Sequence, residues 1–223
     1  MVLLEVCTIL SEFLDALVMT LGFEPGPLIR AAASYSLKPR ASIVVLTPSF
    51  KDDRSERAYL ELKKVCDILF KDVEISFQRI EVNLSDFPTT VKQIRELLMG
   101  FADKRVAICL SGGMRALCIA TYTAYLTTEW RYPPIIEVHL EGRAERILVP
   151  PLHEVLKLSV TEEKLVILRL LSKYGSLSMG DIASLMQKDR STVYRHASSL
   201  VRMGLLNQRG KFYELTDLGR MLA

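Results

Sequence analysis

Residues 106–117, VAICLSGGMRAL, carry the pattern that decides the fold. The apolar run VAICL predicts a strand buried on both faces, and a helical pattern follows it directly. Gly112 and Gly113 join the two, which permits a tight turn and lets a ligand approach the backbone. The free N–H groups of the new helix would attract a phosphate, and Arg115 in its first turn would add a fork of donors. Simple helix capping remains the alternative explanation for this turn.

Strand and helix patterns alternate on both sides of this segment. The further predicted strands are Ala16–Gly22, Ser42–Thr47 and Glu74–Val82, with IIEVHL and ERILVP forming a closing hairpin around Glu141–Arg143. The predicted helices are Gly26–Tyr35, Arg54–Phe70, Pro88–Phe101 and Met114–Thr127. This order predicts an α/β fold with a Rossmann-like, mostly parallel sheet.

Three loops follow strands of this sheet, where ligands of such folds bind. They are GFEPG (22–26), TPSF (47–50) and SGGMR (111–115). The loops offer backbone N–H groups, hydroxyls and one guanidinium, and the second and third contain no acidic residue. The dinucleotide fingerprint, the Walker loop, the G-x-S-x-G elbow and the kinase signature are all absent from the sequence.

The C-terminal part has the pattern of a winged helix-turn-helix domain. We expect a Rossmann-like domain over 1–150, a linker or short helix over 151–160 and the winged helix-turn-helix over 161–223. Ser178 and Asp181 form a capping-box pattern that opens the second helix, which ends near Met186. Lys188–Arg190 is then a short turn, and Ser191 is expected to cap a third helix that ends near Met203.

The third helix is expected to enter the major groove of DNA, because a short turn precedes its exposed polar face. Val193, Ala197, Leu200 and Val201 have core spacing. A hairpin tip at 209–211 carries two positive charges that suit phosphates or the minor groove. The candidate DNA contacts are Arg190, Ser191, Thr192, Tyr194, Arg195, Arg209 and Lys211. A winged helix used only for protein contacts is the alternative, and the basic residues weigh against it. Surface packing is an equally good explanation for Tyr194.

The charge distribution agrees with a DNA-binding domain behind a neutral one. Residues 152–223 hold 11 Lys+Arg and 7 Asp+Glu, a net charge of +4. Subtraction from the totals of 29 and 26 leaves 18 and 19 for residues 1–151, a net charge of −1. A basic domain attached to a neutral one suits a protein that binds DNA.

Cysteine usage and hydropathy favour a cytoplasmic protein with no metal site. The four cysteines form no C-x-x-C pair, and no histidine stands near them at zinc-ligand spacing. They are typical of buried thiols in a reducing compartment. No stretch reaches the roughly 18 apolar residues of a membrane span. The apolar start, 1–14, contains Glu5 and Glu12 without a basic leader, which favours an added helix or strand over a secretory signal.

The sequence resembles the CRISPR-associated Rossmann-fold (CARF) regulators of archaea, in which this domain is fused to a winged helix. TLGFEPG (20–26), TPS (47–49), VNLSDF (82–87) and LSGGMRAL (110–117) occur in the family's order. STVYRHASSLVRMGLL (191–206) and ELTDLGRML (214–222) follow, as in winged-helix bacterial and archaeal regulators. The resemblance spans roughly residues 15–223 and points to the transcriptional regulators of type I-A systems.

The resemblance implies a homodimer whose paired Rossmann domains bind a cyclic oligoadenylate, usually the tetra-adenylate, in a shared cleft. It therefore implies a ligand-responsive regulator of CRISPR loci that binds promoter DNA. We expect no cofactor, metal or membrane partner. Carried over by motif, the ligand contacts are Gly22, Phe23, Thr47, Pro48, Ser49, Ser111, Gly112, Gly113, Met114 and Arg115.

Two other functions fit the same residues. Some relatives of the sensor domain are ring nucleases that degrade their own messenger, and Ser49, Ser111 and Arg115 would assist in-line attack by a ribose 2′-hydroxyl. No histidine or lysine stands in these loops apart from Lys51 nearby, so we expect binding without fast turnover and no catalytic residue. The other possibility is a regulator that senses a different phosphorylated small molecule, because fold does not fix function.

Overall fold

The chain forms two compact units, Met1–Val149 and Pro150–Ala223. The structure is a computed structural model that describes residues 13–49, 52–140, 145–152 and 160–223. The expected extension at the start, the hairpin tip at Glu141–Arg143 and most of the expected linker lie outside the described residues.

The N-terminal unit alternates strands and helices, as the apolar runs predict. Its strands are β1 (Leu14–Thr20), β2 (Leu37–Pro48), β3 (Ile75–Val82), β4 (Val106–Cys109), β5 (Ile135–His139) and β6 (Arg146–Val149). Its helices are α1 (Gly26–Ala33), α2 (Asp53–Leu69), α3 (Phe87–Met99) and α4 (Arg115–Thr127).

The six strands form one sheet in the order β3-β2-β1-β4-β5-β6, which confirms the predicted fold class. All neighbouring pairs are parallel except β5 with β6, which is the predicted closing hairpin. Val18 at the centre of β1 pairs with Val44 of β2 on one side and Ile108 of β4 on the other. The strand order therefore reverses at β1, and the loops after β1 and β4 lie at this switch point.

The sheet is buried on both faces because its central strands are apolar throughout. Alternate residues of β1 belong to two separate clusters, with Leu17 and Met19 in one and Ala16 and Val18 in the other. Helices α1 and α2 cover the first face, and α3 and α4 cover the second. This double covering is why the strands read as continuous hydrophobic runs.

Strand β2 is longer than its sequence pattern predicts. It begins at Leu37, whereas the β-branched run begins at Ser42. The added residues include the half-buried Lys38 and the exposed Arg40, so they lack the apolar signal. Tertiary contacts set this end of the strand, since Leu37 pairs with Leu14 and the register then shifts.

The C-terminal unit is a winged helix-turn-helix with its own core, also as predicted. Its elements are α5 (Glu162–Tyr174), β7 (Leu177–Ser178), α6 (Met179–Met186), α7 (Arg190–Arg202), β8 (Leu206–Arg209), β9 (Phe212–Leu215) and α8 (Asp217–Leu222). The strands form a small antiparallel sheet in the order β7-β9-β8. Ile167, Leu168 and Leu171 of α5 pack against Val193, Ala197 and Leu200 of α7. No helix in the described part of the chain is long and apolar enough to cross a membrane.

Candidate functional site

The loops after β1 and β4 touch through their glycine backbones. A Cβ atom added to Gly22 would lie 2.6 Å from the backbone nitrogen of Gly113. A Cβ atom on Gly112 would lie 2.6 Å from the carbonyl oxygen of Thr20. Real Cβ atoms do not approach backbone atoms so closely, and the obstructing atoms are backbone that cannot rotate away. The contact between the two loops therefore depends on the absence of side chains at these positions.

A pocket of about 240 Å³ opens where these loops meet the ends of β2 and α2. Its lining includes the glycines of the loop contact, the first turns of α1 and α2, and the loop after β1. The lining residues are Gly22, Phe23, Glu24, Pro27, Pro48, Arg54, Ser55, Ser111, Gly112, Gly113 and Met114. It lies at the carboxyl ends of the strands, at the point where strand order reverses.

The helices around the pocket differ in how their N-termini are satisfied. Asp52 caps α2 by accepting hydrogen bonds from the backbone nitrogens of Arg54 (2.8 Å) and Ser55 (3.2 Å). Helices α1 and α4 begin after Pro25 and Met114, and neither receives a side-chain cap from the described residues. Uncapped first-turn N–H groups and the positive end of the helix dipole favour an anion at both places.

Arg54 and Phe23 form a cation–π pair at the rim of the pocket. The guanidinium carbon of Arg54 lies 4.7 Å from the centre of the Phe23 ring. Phe23 is 44% exposed, so the ring has a free face for a second planar group. The pair thus presents a planar cation for a phosphate and an aromatic surface for a base.

The turn after β4 is held by contacts of two thiols and one hydroxyl group. The Ser111 hydroxyl oxygen accepts a hydrogen bond from the His139 backbone nitrogen at 2.7 Å and lies 3.0 Å from the Cys109 sulfur. The Cys118 thiol donates to the Gly112 carbonyl oxygen at 3.2 Å. Burial raises the pKa of the Cys109 thiol to about 12 and raises the pKa of Cys118 above its usual value. Both thiols are therefore protonated near neutral pH and act as hydrogen-bonding groups.

The C-terminal unit presents α7 as an exposed helix. Val193, Ala197 and Leu200 are buried, which fixes the opposite face outward. Tyr194 is 57% exposed on that face, beside the exposed Arg195. The Arg195 guanidinium makes one long contact, at 3.5 Å, with the Thr192 hydroxyl. These side chains are therefore available for contacts outside the unit.

Helix α7 begins two residues earlier than the sequence pattern indicates. Asp189 is its N-cap residue and Arg190 its first helical residue, so the prediction that Ser191 caps the helix is wrong. The cause is the short turn after α6, where Gln187 adopts a left-handed conformation (φ 53°) that reverses the chain early. The first turn of α7 therefore carries Arg190, Ser191 and Thr192 together.

The wing is a hairpin of β8 and β9 with a two-residue tip, Gly210 and Lys211. The ammonium of Lys211 lies 5.5 Å from the centre of the Phe212 ring, and its side chain is exposed. Arg209 forms a long ion pair of 3.9 Å with Glu214 across the hairpin. Of the two wing cations, Lys211 therefore contacts an aromatic ring, whereas Arg209 is paired with a carboxylate.

Residues 15–150 match the Csa3 CRISPR-associated Rossmann-like domain. The chain belongs to the Csa3 family. Its C-terminal unit matches the IclR helix-turn-helix domain over residues 165–210. A Csa3-type domain joined to a helix-turn-helix is the arrangement of a CRISPR-associated regulator.

Solved structures similar to this Csa3 family member include three proteins of different lengths. YusO from Bacillus subtilis is 31% identical over 32% of this chain and 55% of its own, with a TM-score of 0.28. Can2 from Sulfobacillus thermosulfidooxidans, solved with cyclic tetra-adenylate, is 12% identical over 92% of this chain and 62% of its own, with a TM-score of 0.42. Csm6 from Enterococcus italicus, bound to cyclic hexa-2′-fluoro-hexa-dAMP, is 10% identical over 86% of this chain and 55% of its own, with a TM-score of 0.49. The chain thus covers between about half and two thirds of these proteins. No curated protein matches it.

The pocket of this Csa3 domain gathers seven of the ten expected ligand residues: Gly22, Phe23, Pro48, Ser111, Gly112, Gly113 and Met114. The other three lie outside its lining. Thr47 is 1% exposed, and its hydroxyl accepts a hydrogen bond from Arg79 at 3.1 Å. Ser49 is exposed at the end of β2, where its backbone nitrogen donates to Val82. Arg115 is exposed in the first turn of α4.

Sequence reasoning missed four lining residues: Glu24, Pro27, Arg54 and Ser55. Arg54 and Ser55 belong to the first turn of the helix after the second loop, so the rule that helix starts face the strand ends would have found them. Glu24 stands inside the first loop and brings an exposed carboxylate to the rim. The pocket is therefore less uniformly attractive to anions than the loops alone predict.

Proposed function

We propose that this protein is a transcription regulator of CRISPR loci that senses a cyclic oligoadenylate. The N-terminal unit would bind the ligand, with the tetra-adenylate as first candidate, and the C-terminal unit would bind promoter DNA. The observation that carries the proposal is the pocket at the switch point, where two uncapped helix N-termini and the Arg54–Phe23 pair meet.

Each part of an adenylate repeat has a matching group in this pocket. A phosphate would receive N–H groups from the first turn of α4 and the guanidinium of Arg54. An adenine would stack on the free face of Phe23. The Glu24 carboxylate, exposed at the rim, would accept a hydrogen bond from the adenine amino group. A ligand with phosphates and amino-bearing bases in alternation fits this set better than a simple anion.

The size of the pocket supports a ring shared between two copies of the chain. Its volume of about 240 Å³ is below the roughly 300–1,000 Å³ typical of pockets for drug-sized ligands, and a tetranucleotide ring is larger than such ligands. One copy would therefore hold a portion of the ring, and a two-fold partner would hold the rest. We infer a homodimer on this ground, in line with the symmetry of most soluble oligomers.

Calorimetric titration of the pure protein with cyclic tetra-adenylate tests the sensor assignment. We expect saturable binding at one ring per two chains, with no comparable binding of AMP or linear tetra-adenylate. If no cyclic oligoadenylate binds, the assignment is wrong. Preferential binding of a different nucleotide would support the alternative function, in which the pocket senses another phosphorylated molecule.

The substitution Arg54→Ala tests the pocket chemistry. Loss of one charge-assisted contact to a phosphate should weaken ring binding by about 10-fold to 100-fold. Arg57→Ala is the matched control, because Arg57 is also exposed on α2 but does not line the pocket. If the two variants bind the ring with equal affinity, Arg54 does not contact the ligand.

Binding without turnover is the second part of the proposal. The lining holds a guanidinium and a carboxylate, but the described lining residues include no histidine or lysine to act as a general acid. Thin-layer analysis of cyclic tetra-adenylate after incubation should therefore show intact ring. Linear products that disappear in the Arg54→Ala variant would instead support a ring nuclease.

A further inference from the structure

Behind the pocket, Cys109, Glu137 and His139 form a buried cluster on one face of the sheet. Cys109 pairs with Glu137 across β4 and β5, and His139 lies two residues further on β5, on the same face. Cys109 and Glu137 are fully buried, and His139 is 5% exposed. One ligand atom from each side chain lies within 4.8 Å of the other two. Strand pairing thus assembles a thiol, a carboxylate and an imidazole that are far apart in sequence.

We propose that this cluster binds a divalent transition-metal ion, with zinc as the first candidate. The ion would be bound by the Cys109 sulfur, a Glu137 carboxylate oxygen and a ring nitrogen of His139. Sulfur, imidazole nitrogen and carboxylate oxygen are the ligands that zinc takes in proteins. Zinc bond lengths of about 2.0–2.3 Å would draw the three side chains together by about 1 Å, within the reach of small rotamer changes.

The Glu137 carboxylate is already oriented for such a role. Its Oε2 accepts hydrogen bonds from the Tyr35 hydroxyl at 2.7 Å and from Arg146 Nη1 at 3.4 Å. Its Oε1 faces the cluster and contacts His139 Nε2 at 3.1 Å. Partners on the outer oxygen that fix the direction of the inner one are typical of metal-binding carboxylates.

The hydrogen-bond network does not satisfy His139. Its Nδ1 atom is buried and has no hydrogen-bond partner among the described residues. Buried polar atoms are nearly always paired, so the unpaired nitrogen of this imidazole indicates a missing partner. A bound cation would engage the ring through one nitrogen while the carboxylate or solvent engages the other.

A fourth ligand position would lie next to Ser111. The Ser111 hydroxyl is 3.0 Å from the Cys109 sulfur, so it or a water would complete a tetrahedral site. Ser111 also lines the pocket, so the ion would stabilise the pocket-forming turn from behind. On binding, the Cys109 thiol would lose its proton to solvent, and the thiolate and carboxylate would offset most of the positive charge of the ion and of Arg146 beside it.

Metal analysis of the full chain tests this proposal. Protein stripped with EDTA, incubated with zinc chloride and desalted should retain about one zinc ion per chain. Cys109→Ser and Glu137→Gln should each reduce retention by more than half. Cys66→Ala is the control, because it removes a buried thiol of the same face and leaves the cluster intact. Equal zinc retention in wild type and both cluster variants would overturn the proposal, as would no retention in wild type.

Cobalt(II) gives a second readout, which reports thiolate ligation directly and is interpreted for variants that fold. The wild-type protein loaded with cobalt should show a thiolate-to-metal charge-transfer band in the near ultraviolet, and Cys66→Ala should keep it. Circular dichroism shows which variants are folded, and a folded Cys109→Ser protein should lack the band. A wild-type spectrum without the band, or a Cys109→Ser spectrum that keeps it, would contradict thiolate ligation.

Discussion

The two units of the molecule expose their functional groups in opposite ways. In the N-terminal unit, glycine backbone forms part of the pocket lining, and Gly22 lies against Gly113 so closely that a methyl group would not fit. In the C-terminal unit, the expected DNA contacts are long side chains such as Arg195 and Lys211, which project from elements packed on a separate apolar core. Substitution should therefore disturb shape and binding together in the first unit and binding alone in the second.

The largest effect is expected from Gly112→Ala. The new methyl group would meet the Thr20 carbonyl oxygen, so the turn after β4 must move and ring binding should fall by at least about 100-fold. Gly26→Ala is the matched control, since the nearest atom to its added Cβ is 3.8 Å away. Calorimetry and thermal unfolding measure both proteins. A Gly112→Ala protein with wild-type affinity and stability would contradict the claim that the pocket depends on this close backbone contact.

Next in size is Arg195→Ala. Loss of one bidentate base contact should weaken binding to the specific operator by about 10-fold to 100-fold and barely change binding to random DNA. Thermal stability should stay within error of wild type, because the side chain is exposed. Arg169→Ala on α5 is the control for loss of charge, since Arg169 is also exposed and forms a surface ion pair with Glu162. Fluorescence anisotropy measures the affinity of each protein for the operator and for random DNA. An equal loss on both DNAs would make Arg195 a phosphate contact.

A smaller effect is expected from Lys211→Ala at the wing tip. Removal of one phosphate contact should weaken binding to all sequences and lower the slope of log K against log salt by about one. The suitable control is Lys173→Ala, because Lys173 also lies over the ring of its neighbour, at 5.1 Å from the centre of Tyr174. An unchanged salt slope would mean that the wing does not touch DNA.

The smallest effect concerns the capping box at the start of α6. Hydrogen bonds from the Ser178 hydroxyl and backbone nitrogen hold the pKa of Asp181 below its usual value. Because the folded pKa is the lower one, this stabilisation is present above the unfolded pKa and is lost as pH falls through the folded pKa. Thermal unfolding of Asp181→Asn should therefore differ most from wild type near neutral pH, and the two should converge in acid. A constant difference at every pH would contradict the electrostatic origin.

Much of this comparison could be predicted from the sequence, because its signals are local. The apolar runs of β1, β2 and β4 predicted the buried sheet, and the glycines at 112 and 113 predicted the tight turn between β4 and α4. The spacing of Ser178 and Asp181 predicted the cap of α6, which the structure confirms. The alternation of buried and exposed residues in α7 likewise follows from helical periodicity.

What the sequence could not predict depends on strand pairing. The cation–π contact of Arg54 with Phe23 joins residues that follow two different strands, so it depends on the parallel pairing of β1 with β2. The Cys109–Glu137–His139 cluster exists only because β4 and β5 lie side by side, so metal-ligand spacing along the chain gave no sign of it. The expectation that Thr47 contacts the ligand came from a motif, whereas its hydroxyl lies inward towards Arg79.

The measurement that tests the central claim most directly is promoter binding with and without the ring. Labelled DNA from the region upstream of the gene would be titrated with wild-type protein, and then again with saturating cyclic tetra-adenylate. We predict a change in DNA affinity of about 5-fold to 150-fold, the range typical of coupled sites, and a smaller change in the Arg54→Ala protein at the lowest ring concentration that saturates the wild type. Identical wild-type affinities in the two titrations would show that the ring does not control DNA binding.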